Sequence, residues 1–219
     1  MQISGNIEAM AISYLEFREA LYPQGLFSFA QVKMHYPDFN ANNLLYWQKK
    51  GYIISLRREW YCFREFTQVR EFTFLVANNI YSPSYISHQE ALLFYGLIPE
   101  HIVSSTSITT KKTRSFEILG KTFKYYSIHP RLFFGYELKE MTANGFRRNV
   151  HMADREKAIL DLLYIFDFYR TEEDLSEIRF NEIALAKDID WRRMEGYLQR
   201  FGLKVLDRKI QTIRKIYQV

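Results

Sequence analysis

Polar side chains between residues 42 and 58 are of the types that contact nucleic acid. Asparagine can pair with an adenine edge, and lysine and arginine neutralise phosphates. The candidate DNA-binding residues are Asn42, Asn43, Tyr46, Lys49, Lys50, Arg57 and Arg58. Glu59 is the only acidic residue between positions 40 and 64. The chemistry that this stretch offers is therefore the binding of a duplex.

Three short helices are predicted to position these residues. Apolar side chains at helical spacing, from Ile7 through Met10 and Ala11 to Tyr14 and Leu15, predict a helix over 7–20 with Asn6 as its cap. Ser28 and Gln31 form a capping box for a second helix that buries Phe29, Val32 and Tyr36. A third helix follows Asn40 and ends at Gly51, with Leu44 and Trp47 on its inner edge.

A hairpin is predicted directly after the third helix. Two β-rich runs, 52–56 and 60–63, flank Arg57, Arg58 and Glu59 at the tip. Three helices and a basic hairpin are typical of a winged helix-turn-helix, whose third helix enters the major groove. Such domains also dock proteins, in which case Asn40 would only cap a helix and the lysines would only complement the helix dipole.

The remaining positive charge is concentrated between residues 101 and 150, with 9 basic and 3 acidic residues. The whole chain carries a formal charge of +5. We expect a secondary basic surface beside the second set of strands, formed by Lys111, Lys112, Arg114, Lys121 and Lys124. This surface would contact either an RNA or the DNA that flanks an operator. The alternative is that these residues only form a solvated face of the sheet.

The predicted organisation is α+β with two domains. Residues 1–78 form the winged helix-turn-helix domain with a helical connector over 64–80, and residues 79–219 form an α+β domain. The second domain is expected to have a small, mainly antiparallel sheet and C-terminal helices. Its predicted elements are a helix capped by Ser87, strands over 103–110, 116–119, 122–128 and 132–138, a helix around 158–166, a capped segment from Thr171, and helices from about Asp190 and Leu203.

A family resemblance spans residues 80–166 of the second domain. The segments that carry it are Tyr85-Ile86-Ser87, Ala91-Leu92, Tyr95-Gly96-Leu97-Ile98-Pro99-Glu100, Ile108 to Phe116, Leu132-Phe133-Phe134-Gly135-Tyr136-Glu137 and Glu156 to Tyr164. In order and spacing they resemble the second domain of the AbiEi antitoxins of abortive-infection toxin–antitoxin systems. Members of that family also begin with a winged-helix domain.

The resemblance implies a repressor of its own operon that opposes a nucleotidyltransferase-like toxin. It implies binding of the N-terminal domain to double-stranded DNA upstream of the operon. It also implies a type IV antitoxin, which acts without a stable complex with the toxin. The resemblance assigns no particular side chains to antitoxicity. The alternative is a stand-alone winged-helix transcriptional regulator.

The sequence predicts no enzyme, metal or cofactor. The five histidines, His35, His88, His101, His129 and His151, show no i,i+4 pairing, and no glycine-rich phosphate loop is present. Asp188 and Asp190 precede a helix and are explained as caps. A metal-dependent nuclease built on Glu137 and Lys139, with Glu117 upstream, is the enzymatic alternative.

The expected compartment is the cytoplasm, without association with a membrane. Cys62 is the single cysteine, which excludes an intrachain disulfide. The first residues lack the basic and apolar regions of a signal peptide, and no run of about 18 apolar residues occurs.

Overall fold

A computed structural model describes residues 12–99 and 104–219. The fold is α+β, as the sequence predicts. The chain divides into two compact units, one formed by residues up to Val76 with Thr142–Arg148, the other by Ala77–Met141 with Asn149–Val219. The expectations for Asn6, Ile7, Met10, Ala11, Glu100, His101 and Val103 lie outside the described residues.

The described residues of the first unit contain three helices and three strands before residue 64. In chain order they are α1 (Tyr14–Leu21), β1 (Leu26–Ser28), α2 (Phe29–His35), α3 (Asn42–Lys49), β2 (Ile53–Arg57) and β3 (Trp60–Phe63). The strands form an antiparallel sheet in the order β1-β3-β2. The predicted hairpin over 52–63 is confirmed, and β1 is a strand that the sequence analysis did not predict.

Local capping fixes where α1 and α2 begin. The Ser28 hydroxyl accepts from the Gln31 amide, and the Gln31 side chain accepts from the Ser28 amide, so the predicted capping box is confirmed. A second box between Ser13 and Glu16 starts α1 at Tyr14. The predicted start at residue 7 lies outside the described residues, but the extended N-cap at Ser13 interrupts the continuous helix that was predicted over 7–20. Leu15 is 75% exposed and does not contribute to the core.

An aromatic cluster forms the core of the first unit. Its buried members are Phe17 of α1, Phe27 of β1, Phe39, Trp47 of α3 and Phe63 of β3. The ring centroid of Phe17 lies 4.5 Å from that of Trp47 and 5.3 Å from that of Phe27. The predicted inner edge of the third helix, with Trp47 buried, is confirmed. The cluster fixes α3 against α1 and the sheet.

The described residues of the second unit contain a larger sheet and six helices that follow α4 (Arg70–Ile80). Its elements in chain order are β4 (Ser84–Ile86), α5 (His88–Phe94), β5 (Ser104–Thr109), β6 (Arg114–Ile118), β7 (Lys121–Ser127), β8 (Tyr136–Ala143), β9 (Phe146–Ala153), α6 (Arg155–Ile165), α7 (Glu172–Ser176), α8 (Glu182–Asp188), α9 (Trp191–Phe201) and α10 (Lys204–Tyr217). The helix starts predicted at Thr171, Asp190 and Leu203 are confirmed as N-cap positions.

The sheet of the second unit is mixed and has six strands in the order β6-β7-β5-β4-β9-β8. β5 pairs in parallel with β7, and β4 in parallel with β9. The sheet is thus larger than the small, mainly antiparallel sheet that was predicted, and two of its pairings are parallel. β4 spans only three residues, which are too few for a periodic pattern, and β9 was not predicted.

The predicted strand over 132–138 is also displaced. Pro130–Leu132 form a helical turn, and β8 begins at Tyr136. The missed hairpin of β8 and β9 turns at Asn144 and Gly145, both with positive φ. An Asn-Gly pair is the strongest short-range hairpin signal, so this strand pair was open to prediction.

In the described part of the chain, no helix has both the length and the apolar character needed to cross a bilayer.

Candidate functional site

The outer face of α3 presents the polar residues that the sequence analysis selected. Asn42, Tyr46 and Lys49 lie at i, i+4 and i+7 and are all exposed, opposite the buried Leu44 and Trp47. Asn43 is half-buried on the flank. The Asn40 side chain accepts a hydrogen bond from the backbone amide of Asn42, but the N-cap position of α3 is Ala41, one residue later than the predicted cap.

Lys50 extends this face past the end of α3. Its ammonium lies 5.6 Å from the ring centroid of Tyr46. The aromatic ring and the two lysines Lys49 and Lys50 therefore lie together at the C-terminal end of the helix. Such a surface can stack on sugar or base and neutralise phosphate.

The hairpin tip places the second part of the predicted site. Arg57 ends β2 half-buried, and Arg58 is exposed in the turn. Glu59 has a φ of 64°, in the left-handed region that disfavours residues with a Cβ. Its carbonyl accepts a 2.8 Å hydrogen bond from the Phe29 amide. The tip is thus tied to the start of α2 while its arginine stays accessible.

We expect Glu59→Gly to stabilise the protein by about 1 kcal/mol, because glycine relieves the positive φ. The carbonyl bond to Phe29 is retained. The measurement is urea denaturation of both proteins. Arg58→Gly is the matched control, since Arg58 lacks a positive φ and should gain nothing. A loss of stability in Glu59→Gly would contradict the strained-turn interpretation.

The five residues of the predicted secondary basic surface are all exposed, but the strand register divides them. They are Lys111, Lys112, Arg114, Lys121 and Lys124. Arg114 and Lys121 share a face with Phe116 and Phe123, whereas Lys124 pairs with Ser115 on the opposite face. The register thus places Arg114 and Lys121 on one face of the sheet and Lys124 on the other, where the prediction had one surface. Lys111 and Lys112 precede β6 and lie outside the strands.

A buried polar cluster in the second unit was not identified from the sequence. It consists of Tyr85 in β4, Ser87 directly after β4, and Lys157 and Asp161 on α6, and all four side chains are fully buried or almost so. The Asp161 carboxylate accepts from Tyr85 at 3.0 Å and Ser87 at 2.8 Å, and it pairs with Lys157. Lys157 also donates to the Tyr85 hydroxyl at 2.8 Å.

The electrostatics of this cluster are dominated by burial. Burial raises the pKa of the Asp161 carboxyl, and the Lys157 charge opposes that rise. Burial likewise lowers the pKa of Lys157, with Asp161 opposing. Gly135 makes room for the lysine, since a Cβ there would lie 2.9 Å from Lys157 Cγ. With no exposed member, the cluster is an internal structural network.

This network explains a correction to the predicted capping of α5. Ser87 occupies the N-cap position of α5, but its hydroxyl makes no capping bond. It donates instead to the buried Asp161. A buried carboxylate without hydrogen-bond donors destabilises the fold more than a helix start without a side-chain cap. The helix itself, from His88, is as predicted.

His88 is fully buried next to the same network. Its ring stacks on Tyr126, with centroids 5.0 Å apart, and packs edge-on against Phe166. No described residue hydrogen-bonds to either ring nitrogen. Burial, with a smaller contribution from the Lys157 charge, lowers the pKa of His88 from 6.5 to about 3.

His88 should make the protein sensitive to acid. Between pH about 3 and 6.5 the folded state binds fewer protons than the unfolded state, so stability is lost as pH falls below 6.5. We expect about 2 kcal/mol to be lost from this residue between pH 7 and pH 5. Denaturation of the wild type and His88→Phe at both pH values measures it. An equal loss in the two proteins would contradict this assignment.

The structure separates Glu117 from Glu137 and Lys139, the other two residues of the nuclease hypothesis. Glu117 lies on β6 and Glu137 on β8, which are the opposite edges of the six-stranded sheet. Glu137 instead forms an ion pair with Lys139 at 2.6 Å. Within residues 12–99 and 104–219, no three His, Cys, Asp or Glu side chains are grouped to hold a metal ion.

Searches with protein-family models and among curated proteins found no match to this chain.

Proposed function

We propose that this chain is a DNA-binding antitoxin that represses its own toxin–antitoxin operon and opposes a nucleotidyltransferase-like toxin. Its first unit would be a winged helix-turn-helix domain, and its second unit the antitoxin domain. The observation that carries the DNA-binding part is the exposed face of α3, where Asn42, Tyr46 and Lys49 align beside Lys50.

The element order supports the winged-helix assignment. α1, β1, α2, α3, β2 and β3 follow one another, with the strands in one antiparallel sheet. In a winged helix-turn-helix, α3 would enter the major groove and the β2–β3 hairpin would contact the backbone. Asn42 would contact a base edge, and the lysines and Arg58 would contact phosphates.

The antitoxin part is supported by the resemblance of residues 80–166 to AbiEi antitoxins. The resemblance does not depend on the DNA-binding residues, so it needs a separate test. Co-expression of the full chain with the product of the adjacent gene should restore growth if that product is the toxin. Binding to upstream DNA without rescue would favour a stand-alone transcriptional regulator.

We expect Arg58→Ala to weaken binding to operator and random duplexes alike. Loss of one phosphate contact should reduce the slope of log K against log salt by about 1, because fewer counterions are released. Fluorescence anisotropy over a salt series measures this slope. Arg70→Ala removes the same charge from an exposed position outside the proposed surface and should leave the slope unchanged. An unchanged slope in Arg58→Ala would remove the hairpin from the interface.

A further inference from the structure

The exposed side of α9 has a composition that its own fold does not explain. Gly196 lies in the middle of this 11-residue helix. A Cβ built on it would meet no atom within 4 Å, so no neighbouring group in the described structure requires a glycine there. Glycine is among the least favourable residues for a helix interior. The helix is therefore less stable than it would be with alanine at this position.

Three arginines and a glutamine surround this glycine. At about 100° per residue, Arg192, Arg193, Gln199 and Arg200 all lie within about 60° of Gly196 around the helix. All four are exposed, and the buried Met194, Leu198 and Phe201 lie on the opposite side. Glu195 falls on the flank of this face, at about 100° from the glycine. The face thus has a bare centre with hydrogen-bond donors at its four corners.

Two of the guanidinium groups are held in place by the second unit. Arg193 pairs with Glu156 at 3.4 Å and with Asp190 at 3.9 Å. The Arg200 guanidinium stacks 3.7 Å from the ring centroid of Phe134, which leaves its N–H edge available. Because these side chains are already ordered, less conformational entropy is lost when a partner binds.

We propose that this α9 face, defined by Gly196 with Arg192, Arg193, Gln199 and Arg200, docks an acidic helix of a partner protein. The arginines supply charge complementarity to glutamate or aspartate. The bare glycine favours a polypeptide helix over a phosphate backbone. Helix axes approach more closely when the contact residues are small, whereas long arginine side chains can bind phosphates at their ends without a gap in the helix surface. The proposal is independent of the DNA-binding function of the first unit.

The first experiment uses the full chain and two fluorescein-labelled probes. Each probe is an alanine-based helical peptide of about 20 residues, with either glutamate or glutamine at spacings of three and four. The glutamate peptide should bind roughly tenfold more tightly than the glutamine peptide. Arg192→Ala should remove most of that difference. Arg208→Ala, at an exposed position on α10, is the control and should retain it.

Gly196→Ala separates docking from stability, because the two effects have opposite signs. We expect a rise in Tm of roughly 2–4 °C and a severalfold loss of affinity for the glutamate peptide. Equal binding of the two peptides, or unchanged affinity in Gly196→Ala, would overturn the proposal. A third result would also overturn it: Arg192→Ala and Gly196→Ala weaken binding to a duplex DNA more than they weaken binding to the glutamate peptide. The face would then be a nucleic-acid contact.

Discussion

Replacement of Lys157 by methionine should reduce the free energy of unfolding by about 3–5 kcal/mol, the cost of leaving one member of a buried ion pair without its partner. Methionine fills a similar volume but leaves the Asp161 carboxylate without its cation. Tyr85 and Ser87 would continue to donate to it. Urea denaturation monitored by circular dichroism measures the loss.

A double-mutant cycle distinguishes this network from ordinary packing. Asp161→Asn removes the opposite charge but retains an acceptor for Tyr85 and Ser87. The variant with both Lys157→Met and Asp161→Asn should lose much less free energy of unfolding than the sum of the losses in the two single variants. The reason is that neither charge is then buried without its partner. Additive costs, or a loss below about 1 kcal/mol in Lys157→Met, would contradict the assigned ion pair.

Phe17→Ala should reduce the free energy of unfolding by about 3–5 kcal/mol, because it leaves a cavity at the centre of the aromatic cluster. Phe17 is fully buried and contacts Phe27, Phe39, Trp47 and Phe63. Loss of its contact with Trp47 also removes the support that fixes α3. DNA affinity should therefore fall together with stability.

Leu15→Ala is the matched control for Phe17→Ala. Leu15 lies on the same helix two positions earlier and is 75% exposed. Its replacement should change stability by no more than about 0.5 kcal/mol. Similar losses in the two variants, measured by urea denaturation, would show that the cluster is not the core of this unit.

Elements with local signals were predictable from the sequence. The Ser28–Gln31 box and the caps at Thr171 and Asp190 each depend on residues within three positions of the helix start. The outward face of α3 follows from helical periodicity alone. Whether these side chains bind DNA depends also on the shape and sequence of the duplex, and the protein sequence carries no information on either.

Elements that depend on distant contacts were not predictable in the same way. β4 has three residues and exists because β5 and β9 pair with it. Ser87 has the type and position of a cap, yet Asp161, 74 residues later, takes its hydroxyl. One signal was available: Lys157 and Asp161 stand four residues apart in a helix that is otherwise apolar from Ala158 to Leu163. This spacing places the two side chains next to each other on the helix, where opposite charges can pair.

Fluorescence anisotropy of the full chain with the DNA directly upstream of its gene, against a scrambled duplex at two salt concentrations, tests the central claim most directly. The account predicts tighter binding to the upstream DNA, with a preference that persists at the higher salt concentration because base contacts depend less on salt than phosphate contacts. Equal and weak binding to both duplexes, lost together as salt rises, would contradict a self-regulating repressor and leave only general charge attraction.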